Sequence, residues 1–126
     1  MLTMLDPAAL PKAQSYSQGA LATGAQRMLF ISGQVGVAAE GNIGKDVGEQ
    51  ALIAIANLNA VLAEAGMDGR NLAKVTIFLT DDSLLPGFME AVAGTLPSPP
   101  PATTLLIVKA LAAPPLLVEI EAIAVG

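Results

Sequence analysis

One long helical pattern constrains this sequence more than any other feature. Between Asp46 and Ala65, apolar residues recur at three- and four-residue spacing, which places them on one face of an α-helix. Asp46 is of a residue type that caps helix N-termini, and Gly66 is of the type that ends helices, so we predict a helix over this range. A helix with one apolar face must pack that face against another layer of structure. The face consists of Val47, Ala51, Ile55, Leu58, Leu62 and Ala65.

The second layer is expected to be a sheet, because several other runs have the character of strands. Residues 72–80 are apolar and β-branched without a helical period. Near the C-terminus the apolar residues at 118, 120 and 122 alternate with Glu119 and Glu121, as in a strand with one polar face. The predicted strands are residues 27–34, 72–80, 102–109 and 116–125, with 15–21 pairing with 27–34 as an opening hairpin.

The remaining segments predict one domain. A weaker helix is expected over residues 84–96, where Pro86 is compatible with a first helical turn. The proline-rich stretch 97–101 is expected to be a stiff connector, because proline fixes its own backbone. Residues 1–10 lack the basic start and apolar run of a secretory signal, and we expect a flexible N-terminal lead-in there. Residues 11–126 contain no linker or repeat and are expected to form a single domain.

The order of these elements predicts an α+β fold. Two strands, a helix, a strand, a second helix and two strands give a mixed β-sheet with both helices on one face. Residues 102–109 are mainly apolar on both faces of their strand, and two helices cannot cover both faces of the sheet. An apolar face left open to water is usually buried against identical subunits, so we expect a homo-oligomer.

Composition excludes several classes of function. The chain has no cysteine and no histidine, which excludes disulfides, thiol nucleophiles, Ser/His/Asp triads and the commonest transition-metal ligands, so no metal site is expected. A formal net charge of -5 argues against nucleic acid as a partner. No apolar run is long enough to span a bilayer, so no membrane partner is expected. The missing cysteines are compatible with a cytoplasmic, reducing location.

Six short segments resemble the Rid family, also known as YjgF/L-PSP, in order and spacing. None of them is specific alone, since a Ser-Gly-Gln strand end or a Glu-x-Glu strand is widespread. Their common register over residues 11–124 is what makes the resemblance specific. They are Ser-Tyr-Ser-Gln-Gly at 15–19, Phe-Ile-Ser-Gly-Gln at 30–34, Asn-Leu-Asn-Ala-Val-Leu at 57–62, Ala-Gly at 65–66, Lys-Val-Thr-Ile-Phe-Leu-Thr at 74–80 and Val-Glu-Ile-Glu-Ala-Ile-Ala at 118–124.

The resemblance implies a fold and an activity. It implies a chorismate-mutase-like (YjgF/L-PSP) domain that assembles as a trimer around a central β-barrel, with ligand pockets in clefts between subunits. It also implies hydrolysis of reactive 2-imino or enamino acids to 2-keto acids and ammonia, without metal or organic cofactor. In the best-known branch an arginine after Pro-Ala holds the substrate carboxylate. Here Thr103 follows Pro101 and Ala102, and no arginine occurs after Arg70. Threonine offers neither the charge nor the planar fork of a guanidinium.

The residues that match the family's site each have an ordinary structural interpretation as well. Tyr16 could orient water or ligand, or simply pack, and Glu119 could polarise water or pair across an interface. Gly33 permits close backbone approach to a ligand, but a Ser-Gly strand end needs no ligand to explain it. We predict Glu119 and Tyr16 as catalytic residues, and as ligand-binding residues Ser32, Gly33, Met89, which stands where relatives often have a polar residue, and Thr103.

Three hypotheses on function follow. The first is a Rid-type trimer that hydrolyses an imine or enamine with altered substrate preference, the ligand being neutral or cationic because Glu119 has no compensating arginine. The second is a trimer that binds a ligand without catalysis. The third, an endoribonuclease of L-PSP type, is disfavoured by the missing histidine and by a pI of about 4.4.

Overall fold

The computed structural model describes all residues from Met1 to Gly126. Its regular elements are six strands and two α-helices. In chain order they are β1 (Leu2–Leu5), β2 (Gly19–Ala22), β3 (Met28–Val35), α1 (Val47–Glu64), β4 (Leu72–Leu79), α2 (Leu85–Val92), β5 (Ala102–Ile107) and β6 (Val118–Val125). Two single turns of 3-10 helix, Gly69–Asn71 and Asp82–Leu84, precede β4 and α2.

Helix α1 is where the sequence predicts it. The Asp46 carboxylate accepts a hydrogen bond from the backbone N–H of Glu49 at 2.8 Å, which satisfies one of the free donors of the first turn. At the other end Gly66 adopts a φ of 71°, a left-handed conformation that glycine reaches without a steric penalty. Ala51 and Ala54 are fully buried. Their small side chains let the helix lie close against the sheet.

Four strands form the main sheet in the order β3-β6-β4-β5. Strand β6 is antiparallel to both of its neighbours, whereas β4 and β5 are parallel and are connected through α2. Both helices pack on one face of this sheet, as predicted, and the core lies between these layers. The sheet contributes to that core Val75, Ile77, Leu79, Val118, Ile120, Ala122 and Ala124.

Helix α2 is shorter than the predicted range of 84–96. It ends at Val92, because Ala93 has extended dihedrals and Gly94 a φ of 81°. Pro86 lies in the first turn, where its missing N–H costs no intrahelical hydrogen bond. No helix of the chain is both long enough and apolar enough to cross a membrane.

The prediction that residues 15–21 pair with 27–34 as an opening hairpin is wrong. Strand β2 pairs with β1, in the register Leu2 to Ala22, and β3 pairs instead with β6 at the other end of the chain. The backbones of Arg27 and Gly126 exchange two hydrogen bonds, of 2.9 and 3.0 Å, and extend this second pairing. Strand β3 therefore pairs with β6, an eight-residue strand that is distant in sequence, rather than with β2, its neighbour in sequence.

The N-terminus also differs from the flexible lead-in predicted for residues 1–10. Strand β1 lies within that range and is tied down by four residue pairs with β2. Beyond the strand, the Asp6 carboxylate accepts a hydrogen bond from the Gln18 backbone N–H at 3.0 Å. A four-residue strand with no clear alternation carries too little sequence signal to be distinguished from a loop.

The sheet face opposite the helices, which we call the open face, carries both apolar and polar side chains. Phe30 is 68% exposed there and Leu106 is 46% exposed. Between them β4 and β6 contribute Lys74, Thr76 and Glu121. The face is uncovered, as predicted, but it is amphipathic rather than uniformly apolar.

A β-bulge in β3 shapes one end of the open face. The register against β6 shifts between Ile31 and Gln34, which leaves Ser32 and Gly33 opposite the central strand without regular partners. A Cβ atom at Gly33 would overlap the Glu119 carboxylate and would lie 2.8 Å from its Cγ. Glycine at position 33 therefore provides the space in which the Glu119 side chain lies.

Gln50 joins α1 to two loops, and no sequence pattern pointed to it. Its side chain is 1% exposed. The amide nitrogen donates to the carbonyls of Gly44 at 2.9 Å and Pro115 at 3.0 Å, and the amide oxygen accepts from the Leu117 N–H at 2.8 Å. The buried amide is fully paired, so it fixes the loop that leads into β6 relative to the helix.

Replacement of Gln50 by leucine should destabilise the fold. The substitution keeps the approximate size but leaves two carbonyls and one N–H without partners, so we expect the free energy of unfolding to fall by roughly 2–4 kcal/mol. Chemical denaturation followed by circular dichroism measures this. Asn59→Leu, on an exposed part of the same helix, is the matched control. An equal loss in both variants would contradict the role given to Gln50.

The contact between Gly33 and Glu119 should appear as a coupling free energy. Gly33→Ala should destabilise the native chain because the Glu119 side chain must leave its position. In a Glu119→Ala background the same change should be neutral or stabilising. A double-mutant cycle on the free energy of unfolding should give a coupling of about 0.5 kcal/mol or more. Additive effects would show that the carboxylate does not depend on this space.

Candidate functional site

A pocket of about 610 Å³ lies between α2, the parallel strands β4 and β5, and the segment before β2. Its walls are mainly apolar and include Phe88 of α2 and Leu105 of β5. Three of the predicted site residues line it together, namely Tyr16, Met89 and Thr103. A concave, mostly apolar cavity with a few polar groups is the usual form of a small-molecule site.

Tyr16 reaches this pocket because the next residue is fastened to the proline connector. Ser17 is 2% exposed. Its hydroxyl donates to the Pro100 carbonyl at 2.6 Å, and its backbone N–H donates to the Pro101 carbonyl at 3.1 Å. The connector is stiff, so it holds Tyr16 at the rim, where its side chain remains 38% exposed. Sequence reasoning did not single out Ser17, since a lone serine carries no signal of a long-range contact.

Thr103 lies on β5 with its side chain on the helix side of the sheet. Its hydroxyl donates to the Pro101 carbonyl at 3.1 Å. Met89, on α2, is 39% exposed and adds a flexible thioether to the pocket wall. None of the residues that line the pocket carries a charge at neutral pH.

The other predicted site residues lie elsewhere. Glu119 and Ser32 project from the open face, and Gly33 lies directly beneath the Glu119 carboxylate. Glu119 also borders a cleft of about 280 Å³ together with Phe78 and Glu121. One chain therefore divides the six predicted residues into two groups on opposite sides of the sheet.

Neither of the two arginines of the chain lines this pocket. Arg27 donates to the Ala65 carbonyl at 2.8 Å, near the end of α1. Arg70 forms a salt bridge of 2.8 Å with Asp68 on the surface, and this hydrogen-bonded guanidinium lowers the pKa of the Asp68 carboxyl. Arg70 borders a neighbouring cleft that shares Pro97 with the pocket, but its guanidinium is already paired.

One positive charge lies a single hydrogen bond outside the pocket. The Lys74 ammonium, on the open face of β4, donates to the hydroxyl of Thr104, and Thr104 lines the pocket. Lys74 forms no salt bridge. Nowhere in the chain do three or more aspartate or glutamate side chains come together as a metal site would require.

Comparison with known proteins identifies the family to which this fold belongs. The family model for endoribonuclease L-PSP matches residues 7–126. A RutC family protein of Aquifex aeolicus is 42% identical over 67 residues, which are 52% of this chain and 51% of that protein. Mmf1, a mitochondrial protein of Schizosaccharomyces pombe, is 34% identical over 124 residues, 97% of this chain and 75% of its own length.

Two further similarities concern activity and fold. TdcF of Escherichia coli, which carries the name of a reactive intermediate deaminase, is 38% identical over 55 residues, 43% of either chain. This chain thus spans about half or less of the length of the Aquifex protein and of TdcF. The crystal structure of YyfB, a Rid family protein of Yersinia pestis, superimposes with a TM-score of 0.85 at 27% identity, over 98% of both chains. The chain belongs to the endoribonuclease L-PSP family, which is the Rid or YjgF family.

Proposed function

We propose that this protein is a homotrimeric hydrolase of the Rid type that takes a small neutral or cationic imine or enamine in a pocket between subunits. One observation carries the proposal, namely the division of the site residues between two sides of the sheet. Tyr16, Met89 and Thr103 line the pocket beside the edge strand β5, whereas Glu119 and Gly33 belong to the open face. A ligand can contact both groups only if the open face of one subunit meets the pocket of another.

The open face has the properties of a subunit interface. It exposes Phe30 and Leu106, and the cost of this exposure is removed if a second copy covers them. Around them lie the polar groups Lys74, Thr76 and Glu121, which could pair across an interface. A cyclic arrangement of identical chains buries every copy of this face in the same way.

The proposed chemistry needs only proton transfers. Hydrolysis adds water across the C=N bond of an imine, and the tetrahedral adduct then releases ammonia and leaves a carbonyl group. A carboxylate such as Glu119, brought to the pocket by the neighbouring subunit, can accept a proton from the attacking water. The Tyr16 hydroxyl can orient that water or the substrate. No electron is transferred, so no redox cofactor is required.

The pocket has no positively charged side chain in its lining, and this determines which charge its ligand can carry. No arginine or lysine lines it, and Thr103 cannot replace a guanidinium as a carboxylate ligand. An acid from the neighbouring subunit would add negative charge, which disfavours anions and tolerates neutral or cationic molecules. The name of TdcF supports deaminase-type chemistry in the family, while this pocket favours a substrate other than a free 2-imino carboxylate.

A second candidate function, ligand binding without catalysis, is favoured by one specific observation. Within a single chain the only ionisable side chain that lines the pocket is Tyr16. If no neighbour supplies Glu119, the pocket has no general base and can only bind. In that case Glu119→Gln would leave ligand affinity unchanged. The ribonuclease activity in the family's description gains no support here, because the pocket offers no cation to a phosphate.

Introducing the missing guanidinium should create activity towards a 2-imino carboxylate. The native protein should hydrolyse 2-iminopropionate slowly, and Thr103→Arg should raise kcat/KM by at least about thirtyfold, the lower end for a charge-paired contact. Release of pyruvate and ammonia above the uncatalysed rate gives the measurement. Thr103→Lys is the matched control, which adds charge without the planar fork and should gain less. Native activity equal to that of arginine-bearing relatives would contradict the proposed substrate preference.

The assembly itself can be measured. Sedimentation equilibrium should give about three times the chain mass of 12.7 kDa. Phe30→Asp places a charge on the open face and should yield monomers. Leu52→Asp introduces the same charge at an apolar side chain that is 48% exposed on α1, and the trimer should survive. A monomeric native protein, or a Phe30→Asp protein that remains trimeric, would argue against an interface on this face.

A further inference from the structure

The hydrogen bond that the Thr103 hydroxyl donates determines whether this hydroxyl acts as a donor or as an acceptor towards the pocket. A threonine hydroxyl has one proton and two lone pairs. Here the proton is directed at the Pro101 carbonyl at 3.1 Å, so the hydroxyl oxygen faces the pocket as an acceptor. In this arrangement the lone pairs of the hydroxyl oxygen are available to accept a hydrogen bond from a ligand.

The acceptor is held in place by its surroundings. The Pro101 carbonyl also accepts the Ser17 N–H at 3.1 Å, and Pro101 is fully buried within the stiff connector. The carbonyl therefore cannot turn away from Thr103 without breaking the link that fastens Tyr16 to the rim. The hydroxyl of the neighbouring Thr104 accepts a hydrogen bond from the Lys74 ammonium. This bond keeps the ammonium directed outside the pocket.

The other side chains of this chain that line the pocket contribute apolar surface but no charge. Ile77, Phe88, Met89, Val92 and Leu105 form the apolar walls. Moving an anion from water into such a space is unfavourable, because no positive charge meets it there. A neutral molecule avoids that cost, and if it carries an N–H or O–H it can also pair with the Thr103 oxygen.

We propose that Thr103 Oγ1 accepts a hydrogen bond from an N–H or O–H group of the ligand, so that the pocket selects small molecules that combine an apolar body with such a donor. This proposal rests on the proposed function, because it takes the pocket to be the ligand site. It narrows the class of neutral or cationic molecules to those that carry a hydrogen-bond donor and makes Thr103 a specificity-determining residue.

Four probes that share one phenyl ring and differ in one polar group test the proposal. Benzamide is a neutral donor, acetophenone a neutral molecule without a donor, benzoate an anion and benzamidinium a cation. Titrations of the native oligomer followed by NMR should show that benzamide binds about threefold to tenfold more tightly than acetophenone, the difference that one neutral hydrogen bond makes. Benzoate should bind more weakly than benzamide, because no cation of the pocket meets its charge. Benzamidinium carries N–H donors and should bind more tightly than acetophenone.

Two variants assign the preference to Thr103. Thr103→Val keeps the shape of the side chain, suits a strand and removes the acceptor, so benzamide and acetophenone should bind equally. Thr103→Ser restores the hydroxyl and should restore the preference. Thr23→Val makes the same change at an exposed position outside the pocket lining and should leave the preference intact.

Each other outcome overturns a distinct claim. Equal binding of benzamide and acetophenone to the native protein, or a preference that survives Thr103→Val, overturns the acceptor role while the pocket stands. An advantage of benzamidinium over benzamide that is lost in Glu119→Gln supports the intersubunit site. Benzamidinium binding more weakly than acetophenone overturns the supply of Glu119 by a neighbour, while the acceptor role of Thr103 stands. Tightest binding of benzoate overturns the proposed substrate preference. If none of the probes binds, the pocket is no ligand site and the proposed function fails with the inference.

Discussion

The pairing of the last strand with both of its neighbours is the constraint on which the rest of the structure depends. Strand β6 lies between β3 and β4, so it joins the first half of the chain to the β4-α2-β5 unit. One set of its alternating side chains, including Val118 and Ile120, seals the core under the helices. The other set places Glu119 and Glu121 on the open face. A single two-residue periodicity thus builds the core and positions the acid of the proposed site.

The sequence predicted those parts of the fold that depend on local patterns. The helix capped by Asp46 and the strands at β4 and β6 have clear periodicity, and the structure confirms them. The opening hairpin failed because adjacency in sequence was weighed above the better partner at the far end of the chain. Ser17 and Gln50 were missed for a related reason, since each acts through hydrogen bonds to backbone far away in sequence.

The candidate site was predicted in part, and the family resemblance supplied most of it. The resemblance pointed to Tyr16, Met89 and Thr103, and the structure brings these three together in one pocket. It also pointed to Ser32, Gly33 and Glu119, which one chain cannot bring to the same place. Periodicity assigned Glu119 to a strand but could not show which sheet face meets which neighbour. The direction of the Thr103 hydroxyl depends on where the Pro101 carbonyl points, and no sequence pattern encodes that.

The central position of the C-terminal strand also bears on how the protein is made. The β4-α2-β5 unit, with pairs such as Lys74 and Ala102, precedes β6 in the chain and can form before β6 is synthesised. Strand β3 must wait for residues 118–125, which are synthesised after every other strand of the sheet. Until then its edge and that of β4 remain unpaired and open to wrong partners. A nascent chain of this protein is therefore most vulnerable to aggregation before β6 has been synthesised, and a chain without β6 keeps both of these edges unpaired.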